Sequence, residues 1–133
     1  MSAYLLDTGI LLRHLRGQKT VVHLLREIGS AQRLAISVIT RAEVCAGIRQ
    51  DEEQVTRHLL ARLETLPADQ HTADWAGLLI RRARSQERSL QLADAFIAGA
   101  AIQHNLTLVT LNPTDFRGLG LSLYPLPDEL AVR

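Results

Sequence analysis

The chain has 133 residues, 47% hydrophobic and 22% charged, with a formal net charge of +1. It is too apolar for a disordered polypeptide and long enough to fold around a core without disulfide or metal staples. The 15 basic and 14 acidic residues nearly cancel, so global charge does not announce a nucleic-acid binder, although every basic residue except Lys19 is Arg, the better fork for phosphate.

In chain order, Tyr4-Leu5-Leu6 predicts a short buried strand, and Thr8 to Leu15 a helix that Gly17 stops. Val21, Leu24, Leu25 and Ile28 recur at helical spacing and predict an amphipathic helix over 21–28, broken by Gly29-Ser30. Leu34-Ala35-Ile36-Ser37-Val38 predicts a second strand, after which Thr40 opens a helix running to about Arg49. A helix from Asp51 passes through Leu59, Leu60 and Leu63, with Pro67 beyond its end. His71 to Gln86 predicts a long helix with Trp75, Leu78 and Leu79 as core candidates. Its Arg81, Arg82 and Arg84 join Arg88 in a basic cluster that reads as a solvated face, with RNA or an acidic partner as the alternative. Ala93 to His104 is a helix of small apolar residues, Leu106 to Leu111 a strand, Asn112-Pro113-Thr114-Asp115 a turn, and Leu119 to Tyr124 a last short strand.

Strands alternating with helices predict one α/β domain over residues 1–133, with a parallel sheet covered on both faces in three layers. Cys45 is the single cysteine, so no intramolecular disulfide forms, which suits a reducing compartment. No basic leader precedes the apolar N-terminal stretch, which Asp7 interrupts, and no apolar run is long enough to span a bilayer. The expectation is a cytoplasmic protein with no membrane partner. The five histidines are scattered among polar neighbours and read as surface or helix-end residues.

The informative residues are four acids, Asp7, Glu43, Asp94 and Asp115. Asp7 follows Tyr4-Leu5-Leu6 with no Lys or Arg before Arg13, and Asp94 sits in a stretch without a basic residue between Arg88 and Arg117. A carboxylate in apolar surroundings is costly to ionise unless paired or metal-bound. Each acid also has a plain structural explanation. Asp7 would serve as the N-cap of the helix at Thr8, and Glu43 would close a capping box with Thr40. Asp94 would complement a helix N-terminus, and Asp115 would close an Asx turn. Against these, Asp7 and Asp94 are flanked by apolar residues, unlike most caps. In the predicted topology all four fall at the carboxyl edge of the sheet, where open α/β sheets bind ligands. Oxygen donors without His or Cys favour Mg²⁺ or Mn²⁺ over zinc.

With these residues in place, the chain resembles the PIN-domain ribonucleases, specifically the VapC-type toxins of bacterial toxin–antitoxin pairs. The matching segments are Tyr4 to Leu11, Ile36 to Gly47, Leu92 to Ala101 and Leu106 to Phe116, in the family's order. The resemblance implies a three-layer α/β/α sandwich with a short, mostly parallel central sheet. It implies an endoribonuclease that hydrolyses phosphodiester bonds with water activated by Mg²⁺ or Mn²⁺, with Asp7, Glu43 and Asp94 as catalytic metal ligands. The fourth ligand falls at Asp115 or Asn112, and Thr8 and Thr40 stand where supporting hydroxyls occur. Gly9 stands where many relatives carry Asn or Ser. A cognate VapB-type antitoxin and a homodimer are the implied protein partners. The alternative is a catalytically silent PIN-like RNA- or protein-binding module, since Asn112 replaces an acid found in some members. A haloacid-dehalogenase-like phosphatase is disfavoured by Gly9 at its second acidic position, and a receiver domain by the lack of a late Lys.

Overall fold

A computed structural model of the chain describes residues 2–130. Its strands are β1 (Tyr4–Leu6), β2 (Ala35–Ser37), β3 (Glu64–Leu66) and β4 (Thr107–Val109), and its helices α1 (Thr8–Leu15), α2 (Lys19–Gly29), α3 (Val38–Ala46), α4 (Glu53–Ala61), α5 (Gln70–Ser85) and α6 (Leu92–Gln103). The four strands pair in parallel in the order β3-β2-β1-β4.

Three layers follow from the two-residue period of a strand. Leu5, Ala35 and Leu108 point into a core shared with α5 and α6, where Ala76, Leu79, Ala98 and Ala101 are buried. Their neighbours Leu6, Ile36 and Val109 point the other way, into a core shared with α1, α2 and α4. Both faces are therefore covered, and β1, β2 and β4 each bury apolar residues on both sides rather than alternating apolar with polar. Gly99 lets α6 lie close to α5: a Cβ there would stand 3.1 Å from the Thr72 carbonyl oxygen.

Several expectations need correction. The second strand does not reach Val38. Ser37 closes β2 and caps α3, accepting from the Ile39 amide at 3.0 Å, so the helix starts two residues before Thr40. The helix after Asp51 stops at Ala61, preceded by a 3₁₀ turn over Gln50–Glu52, and the edge strand β3 follows it. The segment Leu119 to Tyr124 contributes only a bridge between Leu108 and Leu123, continued by the Tyr124 amide donating to the Leu108 carbonyl at 2.9 Å. Trp75 is half-buried rather than central to the core.

Candidate active site

The carboxyl ends of β1, β2 and β4 lie side by side; β2 ends on Ser37, and β1 and β4 are followed by Asp7 and Thr110. After β1 comes Asp7, whose amide donates to the Val109 carbonyl at 2.9 Å, so the backbone extends the sheet to the acid itself. Asp7 is 7% exposed. Its Oδ1 accepts from the Thr8 amide at 2.8 Å, in the N-cap geometry anticipated for it. Its Oδ2 accepts from Thr110 Oγ1 at 2.7 Å, and the same hydroxyl accepts from the Asn112 amide at 3.1 Å. Capping is thus real but occupies one oxygen. Carboxylate oxygens keep further lone pairs after one bond each.

Glu43 does not form the capping box. Because α3 begins at Val38, Glu43 lies in its second turn and Thr40 in its first. Thr8 Oγ1 instead donates to Glu43 Oε1 at 2.6 Å and lies 3.0 Å from Thr40 Oγ1. Thr40 is fully buried, so this hydroxyl pair forms the floor on which the Glu43 carboxylate stands. Asp94 occupies the first turn of α6, on the face that carries buried Ile97, Ala98 and Ala101. Asp115 ends a 3₁₀ turn, Pro113–Asp115, after β4; Asn112 caps that turn and takes part through its backbone.

Electrostatics tie the four acids together. Burial raises the Asp94 carboxyl to about 6, with repulsion from Asp7, Asp115 and Glu43 adding to it. Burial also raises Asp7; its hydrogen bonds to Thr110 and Thr8 oppose the shift, and the charges of Glu43 and Asp115 reinforce it. Among the described residues the one ion pair is Arg57–Glu53 on α4, so no base neutralises these acids. Nor do three acidic, His or Cys side chains already stand in a closed ligand cluster among the described residues. The donor chemistry, oxygen only and net negative, fits a hard divalent cation.

A pH dependence follows. A carboxyl raised in the fold binds its proton more tightly there than in the unfolded chain. Its stabilising contribution is complete below the unfolded value near 3.8 and is lost as pH rises through the folded value, about 6 for Asp94. In metal-free buffer the Asp94→Asn variant should therefore gain on the wild type as pH rises from 4 to 7. Because Asp94 is only partly buried, the gain in melting temperature should be about 2–4 °C. His14, lowered by burial and by Arg62, acts with the opposite sign, and comparing the two proteins cancels it. A difference in melting temperature that stays flat across this range would contradict the assignment.

Two hydroxyls at the site were not singled out from sequence, Thr110 and Ser37. The signal for Thr110 was a buried polar residue at the carboxyl end of an otherwise apolar strand.

A short parallel sheet with acids from four chain segments at its carboxyl edge defines a class of α/β protein with an acidic centre. The chain belongs to the PIN-domain family, whose description fits residues 4–120. It is 36% identical over 112 residues to Ribonuclease VapC10 of Mycobacterium tuberculosis, covering 84% of each chain. It is 33% identical over 113 residues to Ribonuclease VapC19 of the same organism, covering 84% of this chain and 90% of that one. Among solved structures, a toxin-antitoxin complex from Klebsiella pneumoniae matches with TM-score 0.79 and 31% identity, covering 92% of this chain and 97% of that one. VapBC2 from Rickettsia felis, bound to a DNA fragment from its promoter, matches with TM-score 0.78 and 26% identity over 91% of this chain and 96% of that one.

Proposed function

We propose that the chain is an endoribonuclease, acting over residues 1–133 as one PIN-like domain, and the toxin of a toxin–antitoxin pair. The observation that carries this reading is the set of four mutually repelling, base-free carboxylates at the carboxyl edge of the sheet. The names of the relatives support it and give the silent-module alternative no support.

In this reading Asp7, Glu43, Asp94 and Asp115 hold Mg²⁺ or Mn²⁺. When bound, the ion lowers the pKa of a water molecule and offsets charge on the scissile phosphate. The chain's own residues supply the geometry. Thr110 fixes one Asp7 oxygen and the Thr8 amide the other, which sets the plane of that carboxylate. The Thr8 hydroxyl aims Glu43, and the Thr40 hydroxyl beneath it keeps Thr8 in place. No side chain has to form a bond to the RNA. Purified protein should cleave single-stranded RNA in Mn²⁺ or Mg²⁺ and lose that activity in EDTA; undiminished cleavage in EDTA would refute metal dependence.

The antitoxin has a surface suited to it. Leu25 on α2, His14 on α1, and Leu59 and Leu63 at α4 line a cleft of about 420 Å³ rimmed by Arg26 and Arg62. On the same helices Leu24 and Leu60 are core residues, and Arg57 pairs with Glu53 instead of joining the rim. His14 Nδ1 is buried there without a hydrogen-bond partner, and burial together with Arg62 lowers its pKa. A neutral ring then offers an acceptor or donor to an apolar segment with acidic flanks. Among the described residues no helix is long and apolar enough to cross a membrane. The reading carries with it a cytoplasmic protein that forms a homodimer.

A further inference from the structure

The Arg81-Arg82-Arg84-Arg88 cluster is not one solvated face. Arg82 and Arg88 turn, together with Gln86, onto the segment that follows β4. Arg88 Nη1 donates to the Thr114 carbonyl at 3.0 Å, and its Nη2 to the Arg117 carbonyl at 2.5 Å and to Gln86 Oε1 at 2.6 Å. Gln86 Nε2 donates to the Gly118 carbonyl at 2.9 Å, and Arg82 Nη1 to the Leu119 carbonyl at 2.7 Å. Four carbonyls between Thr114 and Leu119 are thus held from the end of α5 and the turn after it.

The backbone is shaped for this grip. Gly118 and Gly120 adopt φ of +77° and +91°, which L side chains rarely take, and a Cβ on Gly120 would stand 2.8 Å from Arg82 Nη1. Beneath the segment, Phe116 and Leu119 are buried in the core with α5 and α6. The 3₁₀ turn that ends in Asp115 is therefore clamped by guanidinium and amide groups above and by apolar anchors below. The Asp115 carboxylate itself accepts no hydrogen bond among the described residues, yet it is near enough to act on both Asp7 and Asp94. Like charges repel, so the turn that carries Asp115 has to hold it near Asp7 and Asp94 against that force.

We propose that Arg88 is a positioning residue, whose guanidinium fixes the turn that presents Asp115 to Asp7 and Asp94. The assignment rests on the nuclease reading above. The planar fork matters, because one group spans two carbonyls and an amide oxygen at once, which the point-like ammonium of Lys cannot reproduce. Among the described residues Arg88 bonds only backbone and Gln86, so it acts on the acid centre through the turn and not by touching it.

The test compares wild type, Arg88→Ala, Arg88→Lys, Asp115→Asn and the Arg88→Ala/Asp115→Asn double variant. The readouts are RNA cleavage in Mn²⁺, Mn²⁺ titration calorimetry, and amide hydrogen exchange. Arg88→Ala should lower kcat about 10–100-fold, as expected for a group that orients a ligand, with KM for RNA unchanged within about threefold. It should weaken Mn²⁺ binding on the order of tenfold and speed exchange over residues 113–119 while the sheet keeps its protection. Arg88→Lys should not rescue, and the double variant should be no worse than Asp115→Asn alone. A raised KM with kcat kept and full rescue by Lys would make Arg88 a phosphate contact and overturn the proposal, as would losses that multiply in the double variant. If Arg88→Ala fails to fold, Gln86→Leu should show the same pattern at smaller size; unchanged kcat and exchange there would overturn it equally. Wild type that neither cleaves RNA nor binds Mn²⁺ would sink the nuclease reading, whereas unchanged exchange in Arg88→Ala would sink the clamp.

Discussion

Asp7→Asn and Asp94→Asn should each reduce RNA cleavage by on the order of 10²–10³-fold or more, the scale of removing one preorganised charge from a catalytic centre. Neither should unfold the protein. Asn at position 7 keeps an oxygen for the Thr8 amide or the Thr110 hydroxyl, and among the described residues the Asp94 side chain makes no hydrogen bond that Asn would lose. The distinguishing sign is in stability. If these acids only capped helices, neutralising them would lower the melting temperature in any buffer, since a capping carboxylate interacts favourably with a helix N-terminus. If they are crowded like charges awaiting a cation, the variants melt higher than wild type in EDTA, and the order reverses when Mn²⁺ is added, because only wild type gains binding free energy from the ion. Inactive variants that melt lower in EDTA would support the capping explanation.

The second large effect concerns the cleft between α1, α2 and α4. Leu59→Asp should weaken antitoxin binding at least about 100-fold, roughly 2.7 kcal/mol, by placing a charge in an apolar hot spot. Leu59 is half-buried and lies on α4, away from the acids, so cleavage of RNA by the isolated variant should stay near the wild-type rate. In cells, wild type expressed alone should arrest growth and the antitoxin should restore it. Leu59→Asp should arrest growth whether or not the antitoxin is present. Restored growth with Leu59→Asp would move the antitoxin to another surface.

The strands β1 and β4 and helices α1, α5 and α6 were legible because their signals are local: apolar runs of strand length, helical spacing, and Gly17 at φ +76° where α1 must end. β3 was not. It has three residues at the sheet edge, only Leu66 of them buried, and Leu59, Leu60 and Leu63 continue a helical rhythm up to it. The start of α3 was misplaced because Ser37 serves two elements, last residue of a strand and cap of a helix, and the β-prone run around it spoke only for the strand. For the site, Asp7 and Asp94 were visible through their apolar, base-free settings. Thr110 and Arg88 were hidden because their partners lie far off in sequence: Thr110 meets Asp7 across 103 positions, and Arg88 meets carbonyls 26 and 29 positions away. The fold also puts the Asp115 charge within reach of Asp7 and Asp94 and employs Asn112 through its backbone, a difference that no local signal in the sequence carries.

The pairing of β1 with β4 brings the first strand beside the last, and Asp7 beside Thr110. Such a contact closes a loop of about a hundred residues, and its entropy is recovered only once both ends exist. A ribosome making this protein therefore exposes Asp7 early but cannot complete the acid centre until the segment through Asp115 has left the exit tunnel. The partly synthesised chain has no assembled site with which to attack the message being read, and a truncated product ending before β4 would be inert. For a ribonuclease, itself made on an RNA template, the order of the chain works as a safety catch.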